Sequence, residues 1–275
     1  MKYKKINMGS YNLHLIKTDK FKTTTVSVNF ADRLKKDEIT IRKFLFQMLC
    51  LSTKKYNTER LLSIKLEDLY AMNLGFANIA FGSLVNSYID INFLDSEFSD
   101  DKLLDEALDF LFEILLNPNV NDNKFDKKSF DKIYDRLDLV INSMKENTTK
   151  YALNRSVELM DETDPASFNL WGYKEDLDKI NASNLYEYYK YVIKNNKIDI
   201  FVVGNIDEDK IINIFKNKFK IENECNKFDA FITYGNCYDA KEVIEDMNIK
   251  QSKLSVVLKG INLSIFERRY VFPLY

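Results

Sequence analysis

The chain has 275 residues, with 40 Lys and Arg, 42 Asp and Glu, one His and a formal net charge of −2. A zinc site built on two imidazoles one helical turn apart is closed to a chain whose only imidazole is His14, and a His-based triad survives only if that residue, in an alternating apolar stretch near the N-terminus, is the base. Acids and bases balance without a long block of either sign, which excludes the electrostatic footprint of a nucleic-acid binder.

Seven Gly and three Pro leave periodicity and N-cap residues to locate the elements. Asn12 to Lys17 and Thr23 to Phe30 read as strands, the second with Thr24, Val26, Val28 and Phe30 on one face, and a short loop at Asp19 predicts a hairpin. Ile39 to Leu51 reads as a strongly apolar, largely buried helix on Ile41, Phe44, Leu45, Met48 and Leu49, widened by Phe46. Asn57 is a natural N-cap for a helix to about Met72, with Leu61, Leu62, Leu66, Leu69 and Tyr70 inward. Leu74 to Phe81 and Leu84 to Leu94 form a hairpin across Gly82 and Ser83.

Asp100 and Asp101 cap a helix that Asn117 and Pro118 stop. A helical region from about Phe125 to Met160 breaks near Asn147 to Thr149, and Asp164 and Pro165 close it. After an irregular stretch with Trp171 and Gly172, Ser183 caps a helix to about Asn195, Lys197 to Val203 is a strand, and Asp207 opens a helix to about Phe219. This order predicts an α+β fold, helices packed on one face of a mostly antiparallel sheet.

Asn223 to Gly235 reads as a linker, followed by strand-like runs at Val243 to Met247 and Lys253 to Leu258. Arg269, Tyr270, Val271 and Phe272 come eleven residues after Leu258, much as Lys43, Phe44, Leu45 and Phe46 come thirteen after Phe30. The expected division is a domain at 1–222, a linker at 223–240 and, at 241–275, the truncated start of a second, similar half. The other reading of that tail is a β-hairpin extension.

The order of elements and several phrases resemble the pitrilysin (insulinase-like) peptidase family: Ser52-Thr53-Lys54-Lys55-Tyr56, Leu66-Glu67-Asp68-Leu69-Tyr70, Leu116-Asn117-Pro118, and the strand from Ile198 ending in Val203-Gly204-Asn205-Ile206-Asp207. The resemblance implies a pitrilysin-like half of α+β architecture. Active members carry His-x-x-Glu-His on the first helix, two zinc ligands and a general base. Counting back from Thr53 places that motif on Lys43, Phe44, Leu45, Phe46 and Gln47, so both ligands and the base are missing. A further ligand falls near Leu139 or Val140, within a turn of Asp135 and Asp138, and a lone carboxylate holds zinc poorly.

The resemblance therefore implies a non-catalytic homologue with no catalytic residue and no zinc, similar to the ligand-lacking type of Gram-positive bacteria. There such a protein is the heterodimer partner of an active, zinc-binding homologue that processes or holds peptides. Two alternatives stay open: a peptide-binding or scaffold protein in an elongation factor P modification pathway, and a peptidase with a different catalytic constellation. In active relatives substrate adds as a strand along the segment matching Leu74 to Phe81, so Gly75, Phe76, Ala77, Asn78 and Ile79 form the expected peptide-binding edge, alongside the plainer reading of an ordinary sheet strand.

Other residues read as structural. His14 is a half-buried strand residue, Lys43 a snorkelling side chain, and Asp122 to Asp138 a solvated helix face. Cys50 is a small buried hydrophobe, and Cys50, Cys225 and Cys237 lack the number and spacing of a disulfide framework or zinc ribbon. No run reaches the ~18 apolar residues of a membrane span, so no membrane contact is expected and the cytoplasm is the expected location.

Overall fold

The computed structural model describes residues 1–225, 240–258, 263–264 and 266–271. The elements run β1 (Lys2–Asn7), β2 (Asn12–Lys17), β3 (Thr23–Arg33), α1 (Ile39–Leu49), α2 (Glu59–Asp68), β4 (Asn73–Phe81), β5 (Leu84–Leu94), α3 (Leu103–Leu116), β6 (Val120–Asn121) and β7 (Lys124–Phe125). They continue as α4 (Lys127–Ser143), α5 (Thr148–Met160), α6 (Lys174–Leu177), α7 (Ala182–Asn195), β8 (Lys197–Gly204) and α8 (Glu208–Lys218). Six strands form one sheet in the order β1-β2-β8-β3-β5-β4, antiparallel throughout except for β2 beside β8. The α+β class read from the sequence is the observed one.

Period-two patterning decides which side of the sheet meets the helices. Thr24, Val26, Val28 and Phe30 of β3 are buried on the same side as Val85, Ser87, Ile89, Ile91 and Phe93 of β5. Helix α1 lies on that layer. Its Phe46 meets Phe30 edge-on at 5.6 Å, and its Phe44 stacks on Phe130 of α4 at 4.7 Å. Full burial of side chains of this size contributes roughly 1.5–3 kcal/mol each, which makes α1 a central element of the core.

Several local expectations need correction. Strands β2 and β3 do not form a hairpin, because β8 inserts between them and β2 pairs instead with β1 and β8. Lys2–Asn7, ahead of the first strand read from the sequence, form the edge strand β1. Thr58, not Asn57, caps α2, its hydroxyl accepting from Leu61 N–H, and α2 ends at Asp68 with Tyr70 exposed. Helix α3 starts without a side-chain cap, and α7 is capped by Asn181 in a box with Asn184 rather than by Ser183. The hairpin across Gly82 and Ser83 forms as expected, with Gly82 at φ 57°.

Among the described residues, 243–247 and 253–258 join no strand ladder, so the strand-like patterning there is not realised. This segment is held to α5 by Tyr151 and Arg155 on Glu245 and by Ser156 on Ser255. Residues 226–239 of the expected linker, Cys237 among them, and Phe272 of the weak repeat lie outside the described residues.

The two sheet edges differ in kind. β1 carries Lys2, Lys4 and Lys5, a charged fringe of the sort that blocks further pairing. β4, reading Asn-Leu-Gly-Phe-Ala-Asn-Ile-Ala-Phe, carries no charge and exposes Phe76, Ile79 and Phe81.

Candidate functional site: helix α1 beside the open β4 edge

At about 3.6 residues per turn, the side chains of α1 point in three useful directions. Arg42 and Phe46 face the sheet, Phe44 faces α4, and Lys43 and Gln47, one turn apart, occupy a half-buried side between them. Of the positions matched to the zinc motif, Phe46 is therefore turned wholly into the core, while Lys43 and Gln47 remain partly open.

A loop after α5 closes over this side. Tyr173 N–H donates to Thr40 Oγ1 at 3.0 Å, and Gly172, at φ 101°, passes so near that a Cβ there would lie 3.0 Å from the same oxygen. Only glycine suits both the backbone angle and the approach. The loop also reaches the helix side of β4, where Ala80, Leu170 and Tyr173 pack against Leu34, Ile39 and Val85. Trp171 is thereby set over α1, with Lys43 Nζ 3.6 Å and Lys150 Nζ 5.3 Å from its ring centroid. Burial, reinforced by the Lys150 charge, pulls the pKa of the Lys43 ammonium down to about 8.

On β4, Phe76 and Asn78 pair with the buried Ile89 and Ser87 and so face the helices, while Gly75, Ala77 and Ile79 lie on the opposite face. At Gly75 an added Cβ would stand 2.7 Å from Asp90 Oδ1, so a side chain there would turn that carboxylate aside. The five expected edge residues thus share an edge strand of the sheet, beside α1.

Sequence reasoning missed Arg42, which is 2% exposed. Its Nε donates to Ser87 Oγ at 2.5 Å, and its Nη2 donates to Phe30 O at 2.6 Å and Asn196 Oδ1 at 2.8 Å. The charge is balanced at one remove: Asn196 Nδ2 and Tyr191 OH donate to Asp32, and Tyr188 OH donates to Glu38. Burial pushes the Tyr188 hydroxyl pKa up, keeping it a neutral donor. Arg42 and Asn78 also line one cavity of about 10 Å³, the space of a single water. The one available signal was a charge inside an otherwise apolar helical face.

The other polar candidates lie elsewhere. His14 sits on the opposite face of the sheet, its Nδ1 2.8 Å from Tyr3 OH and its Nε2 3.1 Å from Asp199, stacked on Phe201 at 4.4 Å. Burial opposes the Asp199 charge, but the bonds from Lys197, His14 and Asn12 outweigh it and hold that carboxyl below its ordinary pKa. Burial and the Asp90 charge raise the Cys50 thiol, which removes its nucleophilic form. Leu139 is 70% exposed, Asp135 is exposed, and Asp138 is engaged by Lys174 at 2.6 Å.

The residues present do not fit a zinc ion. An ammonium, a phenyl ring and a neutral amide occupy positions 43, 46 and 47, none of them a zinc donor of the usual N, S or carboxylate kind. Among the described residues, no group of three or more His, Cys, Asp or Glu is placed to hold a metal.

No protein-family profile matches the chain. It is 26% identical over 256 residues to a probable inactive metalloprotease, YmfF, of Bacillus subtilis (strain 168), covering 90% of this chain and 59% of the relative. Among solved structures, a conserved protein from Enterococcus faecalis V583 superposes with TM-score 0.77 at 26% identity, over 81% of this chain and 53% of that one. A peptidase M16 inactive domain from Pseudomonas fluorescens superposes with TM-score 0.63 at 13% identity, over 78% of this chain and 49% of that one. The fold is thus that of M16 peptidase-like domains, as the pitrilysin resemblance implied. Within that class the chain is a homologue of a probable inactive metalloprotease. It spans between 49% and 59% of the length of these relatives. Among the described residues, no helix is long and apolar enough to cross a membrane.

Proposed function

We propose that the chain is part of a non-catalytic M16-like protein that holds peptides by strand addition to β4 and pairs with an active, zinc-binding homologue. The observation that carries this reading is an uncharged, open β4 edge lying beside a helix whose motif positions are Lys43, Phe46 and Gln47. Main-chain pairing needs few particular side chains, so peptide capture outlives the loss of catalytic groups. A peptide-binding or scaffold role in elongation factor P modification is the alternative to that pairing and rests on the sequence resemblance alone.

The test is saturable binding of a labelled extended peptide to the purified chain, with hydrogen-exchange protection read along Asn73–Phe81. Binding and protection are expected in the wild type, and both are expected to fall in Ile79→Lys, which adds a blocking charge to the edge. Absence of saturable binding, or binding that leaves β4 unprotected, overturns the peptide-holding reading. Stoichiometric zinc and peptide hydrolysis by the purified chain alone overturn the non-catalytic one.

A further inference from the structure

We infer that Lys43 and Lys150, gathered on Trp171 beside β4, form a carboxylate-binding subsite, so that the peptides held on this edge are acidic ones. This rests on the peptide-holding reading and names the chemical class that the edge selects.

The two ammoniums meet at one ring. Both lie within cation–π range of a single indole, at 3.6 and 5.3 Å from its centroid, one above the core and one on α5. Two like charges sharing one ring repel each other. Among the described residues, neither nitrogen has an ion-pair partner, although lysines elsewhere on the surface are widely paired with carboxylates. On the neighbouring side of α5, the Glu158 carboxylate is already engaged by Arg155 at 3.2 Å. The described residues thus assemble concentrated positive charge here and supply no anion for it.

Position gives that charge a use. Tyr173 and Gly172 tie the Trp171 loop to Thr40 on α1, and Leu170 and Asn78 line one cavity, so the loop bridges α1 and the helix side of β4. β4 carries no charge of its own. On the helix side of this edge a strand meets the loop that seats Lys43 and Lys150 on Trp171, while the Asp90 carboxylate lies by Gly75 on the opposite face, so complementarity on the helix side selects carboxylates. The lowered titration of Lys43 agrees: its causes are burial and Lys150, with no carboxylate contributing. A bound anion would reverse it.

Trp171 is the only tryptophan in the chain, so its emission reports on the subsite directly. The experiment titrates the 275-residue chain with three peptides of one alternating apolar sequence: an internal Glu with an amidated C-terminus, Gln with an amidated C-terminus, and Gln with a free C-terminal carboxylate. Binding is followed by anisotropy of a label on the peptide and by Trp171 emission. At least one carboxylate-bearing peptide is expected to bind about tenfold tighter than the neutral one, the scale of a charge-assisted hydrogen bond. Which one does so separates side-chain from terminal carboxylate. The gap is expected to close in a Lys43→Gln, Lys150→Gln double variant and at high salt. Equal binding of all three peptides, or a gap that survives in the double variant, overturns the subsite while leaving peptide capture standing. Absence of binding by all three removes the capture reading and the subsite with it. Should the double variant not fold, the wild type answers alone: the Lys43 titration midpoint, followed by NMR, must rise when the acidic peptide is added, and an unchanged midpoint overturns the proposal.

Discussion

Replacing Lys43 by Met tests the electrostatics of α1 in isolation. Met preserves the apolar stem and has nearly the helix propensity of Lys, so charge is the main thing removed. In the folded chain the pKa of the ammonium falls from 10.5 to about 8, through burial first and Lys150 second. That fall corresponds to about 3 kcal/mol of native-state penalty, which solvent screening of a half-buried group reduces to about 1–2 kcal/mol. Stacking on Trp171 at 3.6 Å works the other way, by about 0.5–1 kcal/mol. The penalty outweighs the stacking, so Lys43→Met is expected to be more stable than wild type by about 1 kcal/mol at pH 7.

The sign of the pH dependence follows from linkage. Below about pH 8 Lys43 is charged in both states and the native chain bears the whole penalty. Between about 8 and 10.5 the unfolded chain holds the proton that the native chain has released, so wild-type stability rises with pH and the variant's advantage shrinks toward zero. Urea denaturation of both proteins at neutral and alkaline pH measures the difference, in which the other lysines cancel. An advantage that stays constant through this window refutes the assignment of Lys43 as a charge-penalised group. A wild type more stable than the variant at pH 7 shows that the Trp171 contact outweighs burial.

Two further substitutions probe the helix from its sheet-facing side. Phe46→Ala empties a fully buried site against Phe30 and is expected to cost about 3–5 kcal/mol in a denaturation midpoint; a cost under about 1 kcal/mol shows that position 46 is not a core position. Arg42→Met strips the donor from Ser87, Phe30 O and Asn196 and is expected to cost about 2–4 kcal/mol, beyond what its similar apolar stem returns. Equal or greater stability of that variant shows the guanidinium network to be dispensable to the fold.

What the sequence discloses divides by range. Helices α1, α3 and α8 and the β4–β5 hairpin are legible because local period and one turn residue decide them; Leu108, Leu111 and Leu115 fall at helical spacing and are all fully buried. The insertion of β8 between β2 and β3 is not legible. It is decided by pairings such as Asn12 with Asp199, 187 residues apart, that leave no local mark. β1 escaped because a lysine-rich edge strand has the composition of a solvated tail. At the site, the positions of Lys43, Phe46 and Gln47 follow from the helix period, whereas the Trp171 loop that covers them is irregular and held by Gly172 and Thr40, a contact that no spacing encodes.

The two sides of α1 answer to different constraints. Phe46 fills a core position against Phe30, with the Arg42 guanidinium 5.8 Å from its ring. A carboxylate introduced there would be buried next to a fixed cation, which holds it deprotonated but pairs and desolvates it, the reverse of what a general base facing solvent requires. Lys43 and Gln47 lie on the open side and bear on the core only through their stems, so their identities are free to answer to whatever lies along β4. Position 46 is thus bound to the packing of the sheet, while positions 43 and 47 leave a half-buried, positively charged strip beside the one edge of the sheet that carries no charge of its own.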